Sequence, residues 1–288
     1  MPTELKKYGI FYLALALLLA NIFIFYLLWH NSQMSGLTFA VLDVGQGDAL
    51  FIQSPTGTQL LFDAGPPRKI LGQLSRLMPM FDRSIDAIVI TNPDQDHIGG
   101  FADVLATYKV GKMFEPGTFN DSSIYRNLKE TIQAKGIEEI PAQSGMRLDI
   151  GGGAVIDILF PDRDVSTWNP NDGSIIAKLT YGETSIMLTG DTTVKAEKIV
   201  LEKYSTATLD SDILKVAHHG SRSSSSVAFL QAVTPATAIV SSGRENKYGH
   251  PHQEVLDDIL AAGAKILRTD LLGTIIVKCD RIQPCEIN

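Results

Sequence analysis

The chain is short of everything that would make several function classes easy to assign. Only two of its 288 residues are cysteine, Cys279 and Cys285, and neither stands beside a histidine or aspartate motif, so a thiolate metal site is disfavoured. In an exported protein the pair can close a small disulfide loop; otherwise the two are free. Positive charge is also scarce: 25 Lys and Arg against 32 Asp and Glu leave a net charge of −7, which excludes a protein that coats nucleic acid by bulk electrostatics. Any contact with nucleic acid must be local. No low-complexity tract, long linker or solenoid period interrupts the chain, so residues after the N-terminus read as one large domain or two small ones.

One absence is local. From Tyr8 to Trp29 no residue is charged, and the run is mostly apolar, long enough to cross a hydrocarbon core of about 30 Å as a helix. Lys6 and Lys7 precede it, and His30-Asn31-Ser32 follow with no Lys or Arg nearby. The positive-inside rule then places the rest of the chain outside the cytoplasm. A cleaved signal peptide competes with an anchor, but its apolar core is usually 7 to 15 residues and no small-x-small site stands out here. The expectation is a basic N-terminus and membrane anchor over residues 1–30, in contact with lipid through 8–29, followed by a domain over 36–288.

What is present is concentrated. Five of the six histidines fall in three places: His97, the pair His218-His219, and His250 with His252. Residues 85–100, IDAIVITNPDQDHIGG, read as a buried strand (Ile88 to Ile90), a polar loop, and a helix start. The strand fixes the origin of the loop, so Asp94, Asp96 and His97 can leave it together as two oxygen ligands and one nitrogen ligand for a divalent cation. The plainer alternative is an Asn-Pro-Asp turn with Asp96 capping the helix. SIMLTGD (185–191) ends a second strand on Asp191, and LKVAHHGS (214–221) runs a third into His218, the histidine expected to point into the site. His219, one residue further, is expected to face elsewhere or reach substrate, because successive strand side chains diverge.

The remaining segments give the frame. LTFAVLDV, LFIQS and LLFDAG, separated by GQGDA and PTGTQ, imply an antiparallel start to a sheet. Asp43, Asp48 and Asp63 are read as braces for the floor of the site. Helical patterns lie near 67–79, 99–107, 122–135, 193–204, 224–233 and 252–262; a second strand set includes AVIDILF, SIIAKLTY, AIVSS and KILRT. SRSSSS (221–226) reads either as a flexible linker or as a turn offering Ser221, Arg222 and backbone amides to a phosphate at a helix N-terminus. KYGHPH (247–252) holds His250 between Gly249 and Pro251, placed to contact substrate, with Lys247 and Tyr248 as a basic and aromatic lip.

Six of these segments in order, LDVGQGDA, LFDAG, TNPDQDHIGG, SIMLTGD, LKVAHHGS and KYGHPH, resemble the metallo-β-lactamase-fold hydrolases, and specifically the extracellular hydrolase domain of ComEC-like competence DNA-internalisation proteins. The resemblance covers essentially everything after residue 37. It implies an α/β four-layer αββα sandwich, preceded here by one transmembrane helix. It also implies a metal-dependent hydrolase with one or two divalent cations (Mn²⁺ or Zn²⁺, with Mg²⁺ possible). The substrate would be DNA or another phosphodiester, cleaved at the cell membrane on the extracytoplasmic side.

Carried over residue by residue, the resemblance gives one cation Asp96, His97, Asp191 and His218. A second, oxygen-rich site would use Asp94, Asp191 and Asn92 or Asn171, with Asp96 or Asp94 orienting the attacking hydroxide and His250 holding or protonating the phosphate. The sequence departs from the usual His-x-His-x-Asp-His loop, since Asn92 and Asp94 stand where histidines are common, so the second cation site is in doubt. Competing readings are a non-catalytic DNA- or partner-binding module that kept the fold, and a hydrolase of another ester or a lactam.

Overall fold

The structure, a computed structural model, describes residues 3–33, 36–281 and 285–288, with the backbone alone for 3–7 and 27–33. Two units result: the N-terminal helix and everything from Gly36 onward. Helix α1 (Thr3–Gln33) carries the apolar run. Its segment Tyr8–Tyr26 is long and apolar enough to cross a membrane, with mean hydropathy 2.2 and no side chain buried. The side chains of Lys6, Lys7, Trp29 and His30 to Ser32, on which the orientation argument rests, lie outside the described residues.

The second unit is built from two sheets. The first contains β1 (Leu37–Val41), β2 (Leu50–Gln53), β3 (Gln59–Phe62), β4 (Ser84–Val89), β5 (Lys109–Glu115), β6 (Glu138–Pro141) and, from the C-terminus, β14 (Ile275–Cys279) and β15 (Glu286–Ile287), in the order β15-β14-β1-β2-β3-β4-β5-β6. The second contains β7 (Arg147–Gly151), β8 (Ala154–Phe160), β9 (Ile176–Tyr181), β10 (Thr184–Leu188), β11 (Ile213–Lys215), β12 (Thr237–Val240) and β13 (Lys265–Arg268), in the order β13-β12-β11-β10-β9-β8-β7. Both sheets begin with antiparallel pairs and continue with parallel ones: β3, β4, β5 and β6 in the first, β10, β11, β12 and β13 in the second.

The central strands β1, β2 and β3 are buried almost throughout because both faces of the sheet are covered, while β6 and β7 toward the sheet edges are partly exposed. Phe39, Ile52, Phe62 and Val89 of the first sheet pack against Ile156, Leu179, Ile186 and Leu188 of the second, forming an apolar layer between them. The helices run, in chain order after α1, α2 (Ile70–Leu77), α3 (Gln95–Ile98), α4 (Phe101–Thr107), α5 (Ser123–Lys135), α6 (Val194–Lys203), α7 (Thr206–Leu209), α8 (Val227–Val233), α9 (Gln253–Ala261) and α10 (Thr269–Leu272). Ile70 and Leu74 of α2, Phe101 of α4 and Leu128 of α5 cover the outer face of the first sheet. Val200 of α6, Phe229 of α8 and Ile259 of α9 cover that of the second. The four-layer αββα sandwich is therefore observed.

The last strands were not legible in the sequence. β14 pairs antiparallel with β1 in the register Leu37 with Cys279, so the end of the domain returns beside its beginning. Cys279 and Cys285 are joined in a disulfide, the first of the two alternatives the sequence left open.

Parallel strands put their C-terminal ends at one edge, which is where such folds collect ligands. The loops after β3, β4, β10 and β11 carry Asp63, residues 91–97, Asp191 and His218-His219, and they meet there. Gly47 and Gly190 allow the approach. A Cβ on Gly47 (φ +135°) would stand 2.2 Å from the carbonyl oxygen of Asp96, and one on Gly190 (φ +50°) 2.7 Å from the Thr91 hydroxyl.

Phe39 is fully buried between the sheets. Phe39→Ala is expected to destabilise the protein by about 3–5 kcal/mol, the usual range for a truncated core aromatic. Thermal unfolding of the detergent-solubilised chain should show this as a lowered midpoint; an unchanged midpoint would contradict the inter-sheet packing.

Candidate metal centre

Each ligand candidate reaches the site from the end of a buried strand. Asp94 begins the short helix α3 with extended backbone, and Asp96 and His97 lie in its single turn. His97 is fully buried: its Nδ1 is 2.8 Å from Asp63 Oδ2 and its Nε2 3.1 Å from Asp191 Oδ2. Asp63 is held in turn by the Thr91 amide at 2.8 Å and the Thr91 hydroxyl at 2.5 Å. A carboxylate on the outer nitrogen of a ligating histidine fixes ring orientation and raises its basicity.

The pair of histidines after β11 departs from the expectation. The strand stops at Lys215, and His218 (φ 49°, ψ 43°) and His219 (φ 55°, ψ 22°) both adopt left-handed conformations in a tight turn, so strand alternation does not govern them. The inward position expected for His218 is taken by His219. Its Nε2 is 3.5 Å from Asp96 Oδ2 and 3.5 Å from Asp191 Oδ1, while its Nδ1 lies 3.0 Å from the Ser241 carbonyl oxygen and 3.4 Å from Asp48 Oδ1. One ligand atom from each of Asp96, His97, Asp191 and His219 lies within 4.8 Å of every other. His218 is more exposed, its Nε2 3.7 Å from Asp191 Oδ2 and 3.5 Å from the Asn171 amide, with Nδ1 3.0 Å from the Ser223 hydroxyl.

The cluster fits a divalent cation by an internal test. His97 Nε2, His219 Nε2 and Asp191 Oδ1 are buried and have no hydrogen-bond partner among the described residues, yet they face one another. Two imidazole nitrogens and two carboxylates form a mixed donor set suited to a first-row divalent ion. A second buried trio, Asp48, Asp63 and His97, stands close by, but its carboxylates are committed to Lys215 and to Thr91 and His97.

The electrostatics express the same demand for positive charge. Burial opposes protonation of His97 and His219, but the carboxylates of Asp191 with Asp63, and of Asp191 with Asp48, override it. His97 is raised well above the ordinary range and His219 to about 10. Burial alone would raise Asp191; the facing imidazoles of His219 and His97 instead hold it well below the usual carboxylate range. Under the floor, burial is likewise overcome at Asp48, which Lys215 and His219 hold at about 2. Lys215, a lone charge in a strand otherwise apolar, is itself fully buried and ion-paired to Asp48. That charged residue in LKVA was the signal available in the sequence for this tie between the two sheets.

Asn92, Asp94 and Asn171 form a second, partly exposed set. Asn92 is buried, hydrogen-bonded through Nδ2 to Asn171 Oδ1, and its Oδ1 accepts from the Asp94 amide at 2.9 Å. Asp94 Oδ1 accepts from Asn120 Nδ2 at 2.7 Å, and burial raises the Asp94 carboxyl. Asn120 was not identified from sequence. This set reaches the first through the Asn171–His218 contact.

His250 lies beside the pair, its ring centroid 5.7 Å from that of His218 and 6.3 Å from that of His219. Burial and the neighbouring imidazoles lower it to about 4, so it is neutral near pH 7. Tyr248 stacks on it at 5.6 Å, and Lys247 and Tyr248 line a cavity of about 450 Å³ together with Asp96. The expected phosphate cradle at residues 221–226 is corrected. Arg222 Nε is bonded to Glu254 Oε2 at 2.8 Å on the surface. The amides of Ser225 and Ser226 donate to the buried Glu197, and the Ser221 hydroxyl pairs with Ser223. Helix α8 is capped by Ser226. A protein carboxylate already occupies the place assigned to the anion.

Fold and cluster together define a protein of the four-layer α/β class with a His and Asp cluster that could hold a metal ion. The chain belongs to the Metallo-beta-lactamase superfamily, generally metal-dependent hydrolases, whose profile matches residues 42–244. It is 31% identical over 252 residues to ComE operon protein 3 of Bacillus subtilis, covering 82% of this chain and 32% of that protein. It is 31% identical over 239 residues to competence protein ComA of Neisseria gonorrhoeae, covering 82% and 31%. The chain thus spans about a third of the length of these relatives. Among solved structures, CmlA, a diiron β-hydroxylase from Streptomyces venezuelae, shares the fold with a TM-score of 0.56 at 15% identity, covering 85% of this chain and 54% of CmlA.

Three predictions follow from the geometry. His219→Ala should weaken Mn²⁺ or Zn²⁺ binding, read by titration calorimetry, more than His218→Ala. Asp63→Asn, which leaves the His97 ring without its carboxylate, should cost about 10- to 100-fold in affinity; the reverse order of the two histidine variants would sink the four-donor assignment. Because His97 and His219 are raised, both carry protons near pH 7 that a cation must displace. Binding should therefore release protons and strengthen as pH rises toward 10; calorimetry in buffers of different ionisation enthalpy measures the number released.

Proposed function

We propose that the protein is a metal-dependent phosphodiesterase acting on DNA, anchored by α1 with its hydrolase domain outside the cytoplasm. The observation that carries the reading is the set of buried, unpartnered donor atoms on His97, His219 and Asp191, joined by Asp96 at the open edge. Asp96, His97, Asp191 and His219 would hold one cation; Asp94, Asp191 and His218, with Asn92 or Asn171, are the donors nearest a second. The ions in reach of this donor set are Mn²⁺ and Zn²⁺, with Mg²⁺ best suited to the oxygen-rich side. A bound divalent cation supplies a Lewis acid for the phosphoryl oxygen and makes a water acidic enough to serve as nucleophile near neutral pH.

The chain's own groups do the rest. Asp191, with one oxygen toward His97 and the other toward His219, holds the centre together. Asp96, a third exposed, is placed to orient a water and take its proton. His250, neutral and with a buried Nδ1 lacking a partner among the described residues, can donate a hydrogen bond to a phosphate oxygen without adding charge. Similarity to competence proteins over the domain supports DNA as the substrate, and the charge-free run with Lys6-Lys7 before it supports the outward orientation.

Purified protein reconstituted with Mn²⁺ is expected to cleave DNA, offered both as a single-stranded circle and as a plasmid, and Asp191→Ala to reduce cleavage by more than about 1,000-fold. Metal binding with no cleavage of any phosphodiester would favour the non-catalytic binding module instead. For orientation, an alkaline phosphatase fused after Asn288 should be active in cells and a β-galactosidase fused there inactive; the opposite result would place the domain inside.

A further inference from the structure

We infer that the site takes single-stranded nucleic acid, gripping unpaired bases between two aromatic platforms, Phe119 and Tyr248, that flank the metal cluster; this rests on the phosphodiesterase reading. Two cavities flank the site and share no lining residue. One, about 450 Å³, touches the four-donor cluster through Asp96 and is walled by Tyr248 and Lys247; the other, about 470 Å³, touches the second donor set through Asp94 and Asn171 and is walled by Phe119. Both rings are open to solvent, Phe119 60% and Tyr248 52% exposed. Both are also braced from behind. Phe119 stands edge-on against Tyr125 with centroids 6.0 Å apart, and Tyr248 lies over His250 at 20° between planes. A ring held on one side and free on the other is a stacking surface, and every base has a face to offer it.

Charge decides between strand types. A duplex is gripped mainly through its phosphates, which requires an array of free Lys and Arg. Of the residues lining the two cavities, Lys247 is the one cation, set against Asp94, Asp96, Asp121 and Glu245. Two other basic side chains on this part of the surface are spoken for: Arg222 by Glu254 and Lys195 by Asp172. A rim poor in cations but carrying an aromatic ring in each flanking cavity favours a strand whose bases are exposed. The phosphate between two stacked bases would then lie at the cluster.

The test is binding of a fluorescein-labelled thymidine octamer, an abasic octamer of equal charge, and a blunt duplex, by anisotropy of the full chain in detergent with Ca²⁺ in solution. The single strand is expected to bind more tightly than the duplex and at least about tenfold more tightly than the abasic strand. Phe119→Ala or Tyr248→Ala should each cut the preference for bases by about 5- to 150-fold, the range spanned by stacking one base on one ring. Phe119→Trp and Tyr248→Trp should keep it, which separates stacking from loss of fold. Equal affinity for base-bearing and abasic strands, duplex binding as tight as single-strand binding, or Ala variants that weaken both single strands alike would overturn the inference. Base-dependent binding in a protein that cleaves no phosphodiester would leave the platforms standing and remove the phosphodiesterase reading.

Discussion

The carboxylate of Asp191 is the constraint on which the site depends. It is 3% exposed at the end of β10, with one oxygen toward His97 and the other toward His219, in a place where an unpaired anion would be costly. Everything around it answers that cost. Asp63 orients His97 from behind, while Asp48 and the Ser241 carbonyl do the same for His219. Lys215 then balances Asp48 across the interface of the two sheets. With four carboxylates around two imidazoles and Lys215 balancing one of them, the interior needs more positive charge than neutral histidines supply, and a divalent cation would meet that need more compactly than two protons do.

This arrangement explains why the sandwich is built as it is. The apolar layer between the sheets sets their spacing, and parallel pairing on each side sends β3, β4, β10 and β11 to a common edge. The loops there can be short because the strands already aim them. Close contacts at Gly47 and Gly190 then seat the loop after β4 against the turn after β1 and the end of β10. The candidate ligands are thereby fixed by rigid elements, while the exposed rings of Phe119 and Tyr248 sit on loops beside them.

Family membership accounts for the fold and for a metal centre of this kind, but this chain spans only about a third of its competence relatives. Its departures from the usual loop are therefore informative. Asn92 is fully buried and spends both ends of its amide on Asn171 and the Asp94 backbone, acting as a brace that shapes the second donor set. Asp94 is held through Oδ1 by Asn120. The centre is thus asymmetric, nitrogen-rich and buried at one end, oxygen-rich and accessible at the other.

Asp96, His97 and Asp191, which the structure brings together, were legible in the sequence because a local rule controls each of them. A charge-free run reads as a helix of membrane length. Buried apolar runs broken by Asp, His and Gly read as strands ending in ligands, and Asp48 and Asp63 read as floor. What the linear pattern could not supply was the outcome of local backbone twist and distant pairing. Two successive left-handed residues, not strand alternation, turn His219 inward and His218 outward. Glu197, brought from α6, fills the serine-rich turn that resembled an anion site, and Glu254, on α9, removes Arg222 from it. The return of β14 to β1 and the ion pair between Lys215 and Asp48 join residues more than 160 positions apart. Burial and charge balance are properties of neighbours in space, and only the packed chain determines which neighbours those are.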